Sequence, residues 1–161
     1  MNVKGNYRVK APRQQVWEAL NRPDLLRRCT PGCKQLEAGE DGAFDVLLEV
    51  GIGSVKGRYV GKIQITDRVP GSRYKLAVSG NGTTGILNAE GVIELEDADG
   101  DTLIEYSGQA RVGGPIAGVG QRVMDGVSKL LVGQFFRCFE KAMLEERAVP
   151  TDPSAAQGEI P

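Results

Sequence analysis

Histidine is absent from the sequence. That gap removes the commonest general base near neutral pH, the Ser–His and Cys–His nucleophile pairs, and the commonest neutral metal ligand. Conventional hydrolase chemistry is therefore not expected. Cysteine is scarce, with three residues, and an odd number in a chain of this size without an export signal reads as reduced thiols, not a disulfide framework. Cys29 and Cys33 flank Thr-Pro-Gly, and the two further ligands that a zinc site needs do not occur at any recognised spacing. No metal site is expected; the pair reads as a tight turn whose thiols pack as small hydrophobes. An excess of either charge is lacking too, with Lys+Arg 20 against Asp+Glu 21 and no basic run longer than Arg27-Arg28, so nucleic acid is not an expected partner. Long apolar runs are missing, and the polar start from Met1 to Lys10 is unlike a signal peptide. The cytoplasm is the expected address.

What is present describes one soluble domain. Hydrophobic residues make up 40% and charged residues 25% of 161 positions, the balance of an ordinary globular protein. A core of this size buries roughly two-thirds of the unfolded surface and leaves room for a cavity. The chain starts with a strand over Val3 to Val9. Ala11-Pro12 then opens a helix with apolar residues at Val16, Trp17, Ala19 and Leu20, and a second short helix covers Asp24 to Arg28. From Lys34 to Val112 the period becomes two, and turn pairs such as Pro70-Gly71 divide the run into six strands. Their connections, placed at Gly39 to Gly42, Gly51 to Ser54, Pro70-Gly71, Gly80 to Gly82 and Asp97 to Asp101, are too short for crossovers, so an antiparallel meander is predicted.

Alternation puts Phe44, Val46, Leu48 and Val50 on one face, with Tyr59, Gly61, Ile63 and Ile65, then Tyr74, Leu76 and Val78. Leu87, Ala89, Gly91, Ile93 and Leu95 follow, then Ile104, Tyr106, Gly108, Ala110 and Val112. The opposite face carries Asp45, Glu49, Arg58, Lys62, Glu90, Glu94, Glu105 and Arg111 and reads as solvated, so these carboxylates are not expected to act as acids or bases. A cover for the apolar face is predicted from Ile116 onward, where Val119, Val123, Val127, Leu130, Leu131, Gln134, Phe135, Cys138 and Ala142 recur at helical spacing over about thirty residues. Arg122, Lys129, Arg137, Lys141 and Glu145 take the other side. The domain is predicted to span residues 1–147, with residues 148–161 a flexible polar tail.

Several inward positions are small: Gly57, Gly61, Ala89, Gly91, Gly108 and Ala110. Such residues either mark bends in a curved sheet and let a helix approach, or leave a hollow between sheet and helix. Taken together they predict an apolar cavity of the kind that holds a small molecule. Its expected sheet lining is Leu48, Val50, Tyr59, Ile63, Leu76, Val78, Leu87, Ala89, Tyr106 and Ala110; its expected helix lining is Val119, Val123, Val127 and Phe135. The rings of Tyr59, Tyr74 and Tyr106 face inward, where their hydroxyls either meet a ligand carbonyl or are satisfied by water. Of Phe135, Phe136 and Phe139 at least one points outward, because neighbours on a helix differ by about 100°. The glycines from Gly113 to Gly120 fit a turn into the long helix, and mobility there would gate the cavity. They do not match a nucleotide-binding loop.

The order strand, two short helices, six-stranded meander and long helix resembles the helix-grip fold of the START and birch-pollen-allergen superfamily. The resemblance implies an α+β fold, a seven-stranded curved antiparallel sheet wrapped around a long C-terminal helix. Several blocks further resemble the CoxG family of carbon monoxide dehydrogenase proteins: Cys29-Thr-Pro-Gly-Cys33, Gly51-Ile-Gly-Ser-Val-Lys-Gly57, the Thr84 to Glu96 strand, Tyr106 to Gly114, Gly118-Val-Gly-Gln-Arg122 and Gln134-Phe-Phe136. That resemblance implies a non-catalytic accessory protein of a molybdenum hydroxylase. It also implies that the protein binds or carries a lipid-soluble, menaquinone-like isoprenoid quinone and helps couple the enzyme to the membrane. No catalytic cofactor is implied. The expected partners are a hydrophobic small molecule or lipid, a carbon monoxide dehydrogenase-like complex, and the inner face of the cell membrane by peripheral contact, although the polar tail offers no stable anchor. The alternatives are a docking module without a ligand and a cyclase- or dehydratase-type enzyme using the same cavity.

Overall fold

The computed structural model describes residues 1–39, 42–51 and 53–148. The predicted tail beyond residue 148 lies outside these, as do parts of the predicted Gly39–Gly42 and Gly51–Ser54 connections. In chain order the elements are β1 (Asn2–Val9), α1 (Arg13–Leu20), α2 (Pro23–Cys29), β2 (Cys33–Ala38), β3 (Ala43–Val50), β4 (Gly57–Val69), β5 (Arg73–Gly82), β6 (Gly85–Ala98), β7 (Asp101–Gly113) and α3 (Gln121–Ala148). Single 3₁₀ turns stand at Gly53–Val55 and Pro115–Val119.

The seven strands form one antiparallel sheet in the order β1-β7-β6-β5-β4-β3-β2. The meander and the closing role of the first strand thus agree with the alternation in the sequence. So does the inward face, whose residues stand opposite one another across the ladders: Ile63 meets Val78, Val78 meets Ala89, and Ala89 meets Ala110. The turn between β5 and β6 falls at Thr83-Thr84, two residues beyond the predicted Gly80–Gly82, because Gly82 still pairs with Tyr59 and Gly85. Pro12 is the cap before α1 and Pro23 opens α2, positions where a missing N–H leaves no hydrogen bond unmade.

α3 runs along the apolar face. Val9, Val16, Leu25, Leu95, Ile104, Phe136, Phe139 and Ala142 make up much of the core at one end, where α1 and α2 also pack. Here Trp17 meets Tyr74 edge to face at 5.6 Å, and Tyr7 stacks on Phe136 at 5.1 Å. Thr102, the one fully buried polar side chain among the described residues, donates to the carbonyl of Ala11 at 2.7 Å.

Two expectations need correction. The long helix starts at Gln121 and not near Ile116, since Gly114 and Gly120 hold φ of 82° and 92° and isolate a short 3₁₀ turn between them. The thiols are not all reduced: Cys29 at the end of α2 is bonded to Cys138 on α3, with Cα atoms 5.3 Å apart, inside the span a disulfide bridges. The two lie 109 residues apart, so the pairing arises from packing of α2 on α3 and not from local spacing. Cys33 remains free and half-buried, and burial pushes its thiol pKa up. No helix among the described residues is long and apolar enough to cross a membrane.

Candidate functional site

The inward side chains form transverse rows whose bulk falls from one end of the sheet to the other. At the α1 end the rows Leu95–Ile104–Tyr7 and Tyr74–Ile93–Tyr106 are large. Farther along come Ile63–Val78–Ala89–Ala110 and then Gly61–Gly80–Leu87–Val112. α3 does not make up the difference. Its C-terminal half presents Phe135, Phe136, Phe139 and Met143 to the full end, whereas Met124, Val127, Ser128 and Leu131 cover the thin one. A cavity of about 320 Å³ remains beneath this N-terminal half, within the range of small-molecule sites.

The wall is almost entirely carbon. Of the predicted lining, Leu48, Val50, Tyr59, Ile63, Val78, Leu87, Ala89, Ala110 and Val127 are brought together around the cavity. Leu76, Tyr106, Val119, Val123 and Phe135 are placed elsewhere. Leu76 packs into the core. The Tyr106 ring lies over Gly5 of the adjacent strand, where a Cβ would collide with it, and stacks with Phe136 at 6.0 Å. Phe135 joins Phe136 and Phe139 at 5.1 and 5.7 Å and is the one of the three that is only half-buried. Val119 sits on the 3₁₀ turn outside the wall, and Val123 is 46% exposed on the back of α3. Wall residues that sequence reasoning did not select are Met1, Val3, Val46, Val55, Val112, Ile116, Met124, Ser128 and Leu131. Alternation alone places Val46 and Val112 there, and the 124, 128, 131 spacing is one helical face.

The small inward residues have two separate causes. A Cβ at Gly91 would stand 2.9 Å from the Ser107 carbonyl oxygen, one at Gly108 would strike the backbone of Glu90, and one at Gly61 that of Ser79. These glycines let neighbouring backbones close up where the sheet coils. At Gly80 the nearest atom to an added Cβ is Leu87 Cβ at 3.9 Å. With Ala89 and Ala110, Gly80 leaves space.

At the rim three loops are tied together. The Tyr59 hydroxyl donates to the Val55 carbonyl at 2.7 Å and touches the Thr84 hydroxyl, and the Ile116 N–H donates to the Thr84 carbonyl at 2.6 Å. The Tyr59 hydroxyl is thereby engaged before any ligand arrives. Tyr74 is buried against Trp17, outside the cavity, and burial raises its pKa strongly; burial also raises that of Tyr106. No Asp or Glu among the described residues lines the cavity. Glu90, Glu94 and Glu105 occupy outward positions in the ladders. Lys62 is outward as well, its ammonium 4.0 Å from the Asp45 carboxylate. Among the described residues no group of three or more Cys, Asp or Glu could hold a metal ion. A second hollow on the outer face is polar and solvent-washed, between Lys62, Gln64, Asn88, Glu90, Gln109 and Arg111.

Solved structures share this architecture. A conserved protein from Geobacillus kaustophilus is 41% identical, with a TM-score of 0.86 over 90% of this chain and 96% of that one. A START superfamily protein from Mycobacterium smegmatis, 11% identical, reaches 0.68 over 89% and 97%. Ara h 8.0201, 18% identical, reaches 0.67 over 90% and 98%. The last two show the fold alone: a helix-grip fold of the START and birch-pollen-allergen type, as the element order implies. No curated protein sequence matches the chain. The sequence model of the carbon monoxide dehydrogenase CoxG family matches residues 5–144, a span that takes in the sheet, both short helices and nearly all of α3, and the chain accordingly belongs to that family.

Proposed function

We propose that the protein is a non-catalytic accessory of a carbon monoxide dehydrogenase-like molybdenum hydroxylase, and that it holds a hydrophobic molecule, an isoprenoid quinone of menaquinone type, in the cavity under α3. One observation carries the reading: a carbon-walled hollow of about 320 Å³ lies between sheet and helix with no carboxylate in its wall. Such a wall suits sequestration. Each ligand CH₂ transferred from water contributes roughly 0.8 kcal/mol, so a few isoprene units give useful affinity with little polar recognition. Acid–base catalysis would need a titratable group within reach of the guest, and the carboxylates on the central strands face the other way.

The same reading places the protein in the cytoplasm with peripheral contact at the inner membrane face. Support comes from the solvent side of α3, where Val123 and Leu130 are 46% and 43% exposed. Arg122, Lys129, Arg137 and Lys141 flank them and are exposed, while Glu140 and Glu145 on the same helix are engaged by Tyr7 and Arg28. An apolar ridge with cations beside it suits an anionic lipid surface.

The test is organic extraction of the purified protein followed by mass spectrometry, with titration of added menaquinone. A co-purifying quinone, or saturable binding of the added one, is expected. A protein that yields no lipid and binds no quinone overturns the reading.

A further inference from the structure

We infer that Ser128 is the polar anchor of the cavity: its hydroxyl takes the hydrogen bond of a neutral carbonyl or hydroxyl oxygen carried by an otherwise apolar guest, and so fixes which end of the guest lies beneath α3. The inference rests on the reading of the cavity as a ligand site.

Ser128 lines the cavity from the inward stripe of α3, on one face with Met124 and Leu131. Every one of its companions on that stripe is apolar. A helical serine set in an apolar face normally returns its hydroxyl to the carbonyl one turn back. Ser128 does not, and among the described residues it has no hydrogen-bond partner. A half-buried hydroxyl facing a carbon-lined space is costly unless something bonds to it.

The other polar side chains at the cavity are already committed or turned away. The Tyr59 hydroxyl is held by Val55 and Thr84. Ser79 and Lys62 pair across β4 and β5 at outward positions, and the Lys62 ammonium faces Asp45. A polar atom brought in by a guest therefore finds one side-chain partner in the wall, Ser128. A serine hydroxyl both donates and accepts, so a ketone, a quinone carbonyl and an alcohol all fit. A carboxylate does not, since no cation faces inward to offset its desolvation.

The experiment is calorimetric titration of the whole protein with four chains of equal length: undecane, undecanone, undecanol and undecanoate at neutral pH. Wild type is expected to bind the ketone and alcohol about three- to tenfold more tightly than the alkane, the worth of one net hydrogen bond, and to bind undecanoate more weakly than either. Ser128→Ala, confirmed folded by its melting curve, brings ketone and alkane to equal affinity. Ser128→Thr, which keeps the hydroxyl, restores the preference. A Ser128→Ala protein that still prefers the ketone overturns the anchor and leaves the cavity reading standing; undecanoate bound as tightly as undecanone overturns the restriction to neutral guests. Failure of all four chains to bind wild type overturns the cavity reading itself.

Discussion

Ala89 and Ala110 face each other across the β6–β7 ladder at the middle of the cavity wall. A leucine at position 89 would fill the hollow that the two methyl groups leave open. Filling an existing cavity adds apolar contact without displacing packed neighbours, a common route to higher stability. Ala89→Leu is therefore expected to weaken quinone binding at least about tenfold while the melting temperature stays level or rises, as a titration and a melting curve on the same sample will show. At this scale the sequence was legible where the period was strict. Alternation gave Ile63, Val78, Ala89 and Ala110 their common face without any knowledge of their neighbours. It could not say how far along the face the hollow ran, so Leu76 and Tyr106 were included although they belong to the packed end. What moved Tyr106 away is Gly5 on β1, whose missing side chain the phenol ring covers. That relation exists only once the strands pair.

The helix α3 shows why an element can be recognised and yet misoriented. Its apolar residues occupy two sides, because Val123 and Leu130 stand on the exposed ridge while Met124, Ser128 and Leu131 face in. A reading guided by hydrophobicity alone centres the stripe between them and passes over a serine. The exposed pair carries a prediction of its own. Leu130→Asp is expected to reduce co-sedimentation with vesicles of anionic lipid several-fold, and wild-type binding to fall with added salt, because screening weakens the contribution of the flanking cations. Binding that is indifferent to both changes would remove this ridge as the membrane contact. Farther along, the Cys29–Cys138 bridge joins α3 to α2 across 109 residues of chain. Closing so long a loop restricts the unfolded ensemble, and Cys138→Ser is expected to lower stability by about 2–4 kcal/mol. Denaturant titration checks this, and wild type under strong reductant should approach the variant. No local pattern in the sequence announced the bridge, since each cysteine reads by itself as a small apolar residue.

Across the whole molecule, burial raises the phenol pKa of Tyr7, Tyr74 and Tyr106, with the Glu140 carboxylate adding to the effect at Tyr7. The folded protein thus holds these protons more tightly than the unfolded chain does. The stability they contribute is complete below the unfolded value of about 10 and is lost as pH rises through the folded values. Denaturation free energy should decline above about pH 10, with tyrosinate absorbance emerging together with unfolding. Tyrosinate that titrates fully while the fold persists would contradict the burial of these rings. The overall architecture was open to sequence reasoning because short connections leave consecutive strands little choice of partner. The cavity was only half open to it, since a glycine that bends a sheet and an alanine that vacates space look alike in a string of letters.

That distinction between glycines and alanines has a broader result. Curvature at Gly61, Gly91 and Gly108 is enforced by backbone meeting backbone, whereas the interior's contour is drawn by Ala89, Ala110, Leu87 and their neighbours. Scaffold and upholstery are independent variables. Evolution can retailor the chamber for another occupant by exchanging a few side chains, with the arch above it left untouched. The persistence of one architecture in proteins sharing as little as 11% of their residues is what such modularity would produce.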